Sequence, residues 1–324
     1  MHYHYVANQV NVPTNNTQAR AYGLDLNGDG TVDNQLGMVL GTLSSMGFDI
    51  QGNINTSVAE GGIVVLVDFQ TKDFNSSAGA GVSAFLGANP NPPACAGSAD
   101  KFACTGSGST LSCSGCQKSL TGTASFDIAS GSPTNAALAG KIVGGTFTGG
   151  PGDLALQIAI GGQTPIELDL IGARAKASMI SATAIGATTH PNNTGGLSMS
   201  NGGVTLGGAI TQDDLNNKII PQIQQQLGPI ILRDCCGAAS SPGGATCNPN
   251  GTPPCGCTDG STGKTILGLF DTAPKDCTVS VTEIQTNSLI MSLLAPDVTI
   301  GGKMALSLGV NITAVGATFT PPGQ

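Results

Sequence analysis

The chain has 324 residues and a formal charge of −8, and only 10% of it is charged, against roughly 25% in ordinary soluble domains. An apolar content of 40% and a mean hydropathy of +0.14 exclude wholesale disorder, while 12 Lys and Arg against 20 Asp and Glu exclude a basic face for nucleic acid. With Trp 0, Tyr 3 and His 3, the residues that make sugar platforms, catalytic bases and zinc sites are scarce.

The opening MHYHYVANQ has neither the apolar core nor the cleavage site of a secretory leader and reads as a floppy terminus. His2 and His4 form an H-x-H pair of the kind that can hold copper or zinc, but terminal mobility argues against that use. From 23 to 48 a Gly/Asp loop leads into an amphipathic helix, with Val32, Leu36, Val39, Leu40, Leu43 and Met46 on one face. DIQGNINTSV and GGIVVLVDFQ read as strands, the second apolar enough to be central. Residues 88–122 form a long Cys-bearing loop without periodicity.

From Ser125 to Ile210 short alternating or β-branched segments follow one another: ASFDIA, GKIVGGTFTG, LALQIAIGG, PIELDLIGARAKASMISA, GLSMSNG and GVTLGGAI. Thr211 to Leu227 predicts a helix with Leu215, Ile219, Ile223 and Leu227 inward and Pro221 bending or restarting it. A second Cys loop spans 233–263. A further helix carries Glu283, Leu289, Ile290 and Leu293 and ends before Pro296, after which DVTIGG, MALSLGVNITAV and GATFTPPG return as strands. The expected fold is mainly β, an antiparallel sandwich or barrel-like core with a few packed helices and two disulfide-rich loops, in one domain over 1–324.

The ten cysteines fall into two even clusters, Cys95, Cys104, Cys113 and Cys116, then Cys235, Cys236, Cys247, Cys255, Cys257 and Cys277. Each cluster is expected to close its own disulfides in an oxidising compartment, with 3 and 15 pairings open respectively. Metal binding by Cys113-x-x-Cys116 or Cys255-x-Cys257 is the rival reading, weakened by the absence of His from both clusters.

One motif carries chemistry. Asp25-Leu-Asn27-Gly-Asp29-Gly30-Thr31-Val-Asp33 supplies oxygen ligands at loop positions 1, 3, 5 and 9, a glycine at 6 and a backbone carbonyl at 7. Hard Ca²⁺ takes such oxygen cages. The stretch resembles the calcium loops of the dockerin and EF-hand families over about 10 residues. It departs from them at position 12, where Leu36 replaces an acid. The bland alternative is an Asn/Asp/Gly turn that needs no ion, but three carboxylates so close together would repel without a cation. A weaker relative, from Asp271 through Asp276 to Glu283, reads as a relic loop in which a disulfide through Cys277 has replaced the cation.

The DLNGDGTVDN loop, the phrase NSLIMSLLAPDVTI…ALSLGVNITAVGATF and the cysteine pattern together resemble secreted or lipoprotein-type proteins of myxobacteria. That resemblance implies a compartment, extracellular or at the cell surface and compatible with a removed lipid anchor, and imports no activity. No apolar run approaches the roughly 20 residues that span a bilayer.

Enzyme motifs fail on inspection. GSTGKT misses the first glycine of a phosphate loop because Thr258 stands there, and Ala305-Leu-Ser307-Leu-Gly309 reads as continuing strand, with every His before Ser307. Glu167 and Asp169 alternate on one strand face as paired glycosidase acids could. The expected function is therefore a secreted, calcium-binding, disulfide-stabilised surface protein that acts by binding or assembly. Its partner would be a cell-surface protein or a second copy, met through the Cys loops or an edge strand. An extracellular hydrolase using Glu167 and Asp169 is the alternative.

Overall fold

The computed structural model describes residues 1–45, 49–106, 112–133, 136–158, 166–186, 202–235, 247–251 and 254–322. Its contacts gather into two compact units, residues 1–211 with 296–324, and 212–295. Most of GLSMSNG, Met46 and Cys236 lie outside the described residues.

In the first unit the strands are β1 (His2–Asn11), β2 (Val65–Gln70), β3 (Ser77–Asn91), β4 (Ala103–Thr105), β5 (Ser112–Ser114), β6 (Ser125–Ile128), β7 (Ala137–Val143), β8 (Thr146–Ile158), β9 (Ile166–Ser178), β10 (Ala184–Ile185), β11 (Gly203–Thr211), β12 (Val298–Ile300) and β13 (Lys303–Gly316). Among the described residues eight of them close an antiparallel barrel in the order β1-β2-β3-β7-β8-β9-β11-β13, with β13 pairing back to β1. Eight strands leave an interior that side chains can fill. Phe69 on β2 and Phe147 on β8 meet edge to face at 5.1 Å although their strands are not neighbours, so they point inward. Tyr5, on the same face of β1 as Tyr3, is fully buried and its hydroxyl donates to the Ser181 carbonyl at 2.6 Å.

The opposite face of β1 and β2 is covered from outside. Val6 and Leu66, paired across the two strands, pack with Phe85, Leu120, Phe126, Val315 and Phe319. Helix α3 (Ile50–Ala59) contributes Val58 to this cluster, and Asp49 caps its first turn by accepting from Gly52 N–H. DIQGNINTSV was expected as a strand. The Asp49 cap and the packing of Val58 and Ile54 decide for a helix, because tertiary burial outweighs a run of weak helix formers.

Helices α1 (Asn16–Tyr22) and α2 (Gln35–Ser45) lie against β13. Buried Asn34 satisfies all of its amide chemistry there. Its Nδ2 donates to the Ala19 and Gly309 carbonyls at 2.9 and 3.0 Å, and its Oδ1 accepts from Gly37 and Gly309 N–H at 3.0 and 2.8 Å. A Cβ at Gly309 would sit 2.3 Å from the Tyr22 carbonyl, so only glycine permits this approach.

The first Cys loop is stapled by Cys95–Cys116 and Cys104–Cys113. Its base does not project: Phe102, Cys116 and Ala59 form a small buried cluster, and Asp100 accepts from Ala96 and Cys116 N–H at 2.7 and 3.0 Å. The β4–β5 hairpin, by contrast, is exposed except at Cys113.

The second unit is helical. A turn α4 (Gln212–Asp214) runs through a wider π-type segment, 215–219, into α5 (Ile220–Asp234), so Pro221 sits in the first turn of a restarted helix. Helix α6 (Thr262–Phe270) follows, capped by Ser261, so GSTGKT forms a helix start within the expected Cys loop. Then come α7 (Val281–Thr286) and α8 (Ser288–Leu293). Helices α5 and α6 meet closely at Gly263, whose N–H donates to Asp234 at 2.9 Å. Cys235–Cys257 and Cys255–Cys277 are buried, and Cys247 is also disulfide-bonded. In a unit this small, disulfides supply what a modest apolar core cannot.

Candidate functional site

The segment from Asp25 to Asp33 forms a closed loop whose ends are bridged at Leu24 and Asp33, immediately before the Asn34 cap of α2. Asp25 accepts from Gly28 and Gly30 N–H at 2.6 and 3.0 Å, Asn27 from Asp29 N–H at 2.9 Å, and Asp29 from Thr31 N–H at 2.7 Å. Gly28 and Gly30 have φ of +84° and +87° with open space around the absent Cβ, so they are there for the left-handed turn. Asn27, Asp29 and Thr31 are exposed, whereas Asp33 is buried and accepts from Leu26 N–H at 2.8 Å.

The charges respond accordingly. The Thr31 hydroxyl and N–H hold the Asp29 carboxyl below its ordinary range. Burial pushes Asp33 up, the Leu26 N–H opposes this, and the charges of Asp29 and Asp297 add to the rise. The five oxygen-bearing residues are thus on one loop, with their side chains turned partly to backbone N–H groups. A cation would have to compete with those donors for Asp25 and Asp29.

The second loop has a parallel construction. Buried Asp271 accepts from Asp276 and Cys277 N–H at 3.2 and 3.1 Å, and Asp276 accepts from Thr278 N–H at 2.9 Å. Glu283 closes it, accepting from Thr272 and Ser280 N–H at 2.8 Å each and completing a capping box with Ser280. Cys277 is bonded to Cys255, so the disulfide expected in this loop is present.

Cysteine pairing stays within each cluster among the described residues, and together these bonds indicate an oxidising or extracellular location. Asp169 is exposed on β9 opposite Ala155, while the side chain of Glu167 lies outside what is described. Ser307 is fully buried, its hydroxyl accepting from Gln35 N–H at 2.7 Å and donating to Asp297.

The structure brings together one set that the sequence reading set aside. His2 and His4 are not on a floppy terminus: β1 is hydrogen-bonded between β2 and β13. The register places His4 directly opposite Asp68, on the same face as His2. His2 Nδ1 lies 2.9 and 3.1 Å from the two Asp68 oxygens, and His4 Nε2 lies 3.6 Å from Oδ1. Asp68 was missed; the available signal was an acid inside the apolar run VLVDFQ, which is costly unless something pairs with it. No helix among the described residues is long and apolar enough to cross a membrane. Comparison with known proteins finds no family model, no curated protein and no solved structure that matches this chain.

Proposed function

We propose that the chain is a secreted or surface-attached binding protein, whose closed barrel is a rigid base for recognition by exposed loops. The observation that carries this reading is the first Cys loop. Its base is held in a small buried cluster with Ala59 of α3, and it holds out a disulfide-closed hairpin, β4–β5, that is almost wholly exposed. Two short strands with free edges on a rigid mount suit contact with a second chain. Calcium in the Asp25–Asp33 loop would stiffen the entry to α2 on the same unit. The partner is a cell-surface protein or another copy of the chain.

The test uses labelled full-length protein with its disulfides intact, incubated with bacterial cell envelopes and examined in parallel by sedimentation velocity. Thr105→Pro removes a ladder donor from the hairpin and is expected to lower envelope binding or self-association severalfold with an unchanged melting curve. Hydrolysis of a polysaccharide or ester that Asp169→Asn abolishes would replace this reading with the catalytic one.

A further inference from the structure

The carboxylate of Asp68 is 2% exposed, on the outer face of β2. A buried carboxylate needs a positive partner or a full set of donors. Among the described residues its ion-pair partners are His2 and His4, with no Lys or Arg within reach, and Gln70 Nε2 adds a donor at 3.3 Å. A divalent cation held between the carboxylate and the two rings would supply that compensation directly.

His4 adds an independent observation. Its Nε2 is buried without a hydrogen-bond partner among the described residues, and 3.6 Å from Asp68 Oδ1 is too long for one. Its ring is nonetheless held in place, stacked on Phe319 at a centroid distance of 4.6 Å, and its carbonyl accepts from Ala317 N–H at 3.0 Å. A held nitrogen beside a buried carboxylate, close to it but beyond hydrogen-bond range, lets the two groups share one ion.

Geometry agrees. One ligand atom each from His2, His4 and Asp68 lie within 4.8 Å of one another. A tetrahedral ion with ligand bonds of about 2.0–2.1 Å sets its ligands about 3.3 Å apart; the His2–Asp68 and His4–Asp68 distances of 2.9 and 3.6 Å bracket that value, and the two ring nitrogens, within 4.8 Å, would draw together on binding. Strand pairing fixes the spacing, because i and i+2 on β1 share a face and face Asp68 and Gln70 across the ladder. The Gln70 amide would orient the ligating carboxylate, and Phe319 supplies an apolar wall. Two nitrogens and one carboxylate suit a borderline divalent ion, not Ca²⁺ with its demand for six or more oxygens.

We infer that His2, His4 and Asp68 form a three-ligand site for a late first-row divalent metal of the Zn²⁺ class, on the outer wall of the barrel. His2, with 39% of its side chain exposed, marks the entry path and the open side, where a water or an anionic ligand would complete the coordination. The site is chemically separate from the oxygen loop at Asp25–Asp33.

The test is calorimetric titration of ZnCl₂ into the metal-stripped full chain, carrying no polyhistidine tag, with excess CaCl₂ present to fill oxygen sites. One zinc per chain with micromolar or tighter affinity is expected, weakened at least tenfold by His4→Ala and by Asp68→Asn. Asp29→Ala should leave it unchanged. Should Asp68→Asn fail to fold, His2→Ala at the half-exposed position gives the same reading, and Co²⁺ should produce the visible bands of a tetrahedral site only when His2 is present. Absence of binding at millimolar zinc, or an affinity in the His2→Ala and His4→Ala proteins unchanged from that of the native chain, would overturn the assignment.

Discussion

The loops 25–33 and 271–283 begin alike and are held shut by different means. In each, a leading aspartate accepts two backbone N–H groups, and a later aspartate accepts from a threonine two residues on. The first loop stays largely exposed, turns through Gly28 and Gly30, and has no covalent tie. The second replaces glycine freedom with the Cys255–Cys277 bond and closes on Glu283, whose two oxygens take four donors from Thr272 and Ser280. The difference teaches that the same Asx-turn scaffold can be finished by a cross-link and a helix cap, or left with exposed carboxylate oxygens on which an ion can act.

The comparison breaks most visibly at the cross-link. Replacing Cys255 and Cys277 together by Ser removes a staple across 22 residues of sequence. For a loop of that length the unfolded chain regains freedom worth about 3 kcal/mol, so the second unit should melt well below the rest in calorimetry. The same double replacement should leave any response of the first loop to calcium untouched.

Calcium sharpens it from the other side. Ions that bind only the folded state add about 2.7 kcal/mol at a hundredfold excess over the dissociation constant. Chelator should therefore lower the melting temperature of the native chain, and Asp29→Ala should remove most of that shift, while Asp276→Ala should not change it. Superimposable melting curves with and without chelator would show that the first loop is finished by its own N–H groups alone.

The smallest effect is in acid. Burial works to raise Glu283, but the donors of Ser280 and Thr272 outweigh it and hold the carboxyl below its ordinary 4.5. A depressed carboxyl contributes stability that is complete above the unfolded value and is lost as the pH falls through the folded one. Acidification from pH 5 to below 4 should thus loosen the second loop by about 1 kcal/mol or less, a typical cap. In Glu283→Gln that pH dependence should flatten, as amide hydrogen exchange at Ser280 and Thr272 would report.

Much of the fold was legible along the chain. The hairpin GKIVGGTFTG became β7 and β8 around Gly144 and Gly145, GVTLGGAI became β11, and MALSLGVNITAV became β13, because alternation and glycine turns act locally. SAGAGVSAFLGANP was not legible as β3: its small residues carry little β signal, and pairing with β2 and β7 decides its state. The helix at Ile50–Ala59 likewise depended on what packs against it.

What the sequence determined by itself was class and chemistry of confinement: a β-rich chain, cysteines that pair within their own clusters among the described residues, and a run of oxygen-bearing side chains on one turn. Those follow from composition, short-range spacing and the even count of nearby thiols, none of which needs a distant partner. Tertiary structure alone decided closure of the barrel, the division into two units, and the meeting of His2 and His4 with Asp68. Residues 4 and 68 become neighbours only because β1 pairs with β2, and a ladder register set by the burial of Val6 and Leu66 cannot be read from either strand alone.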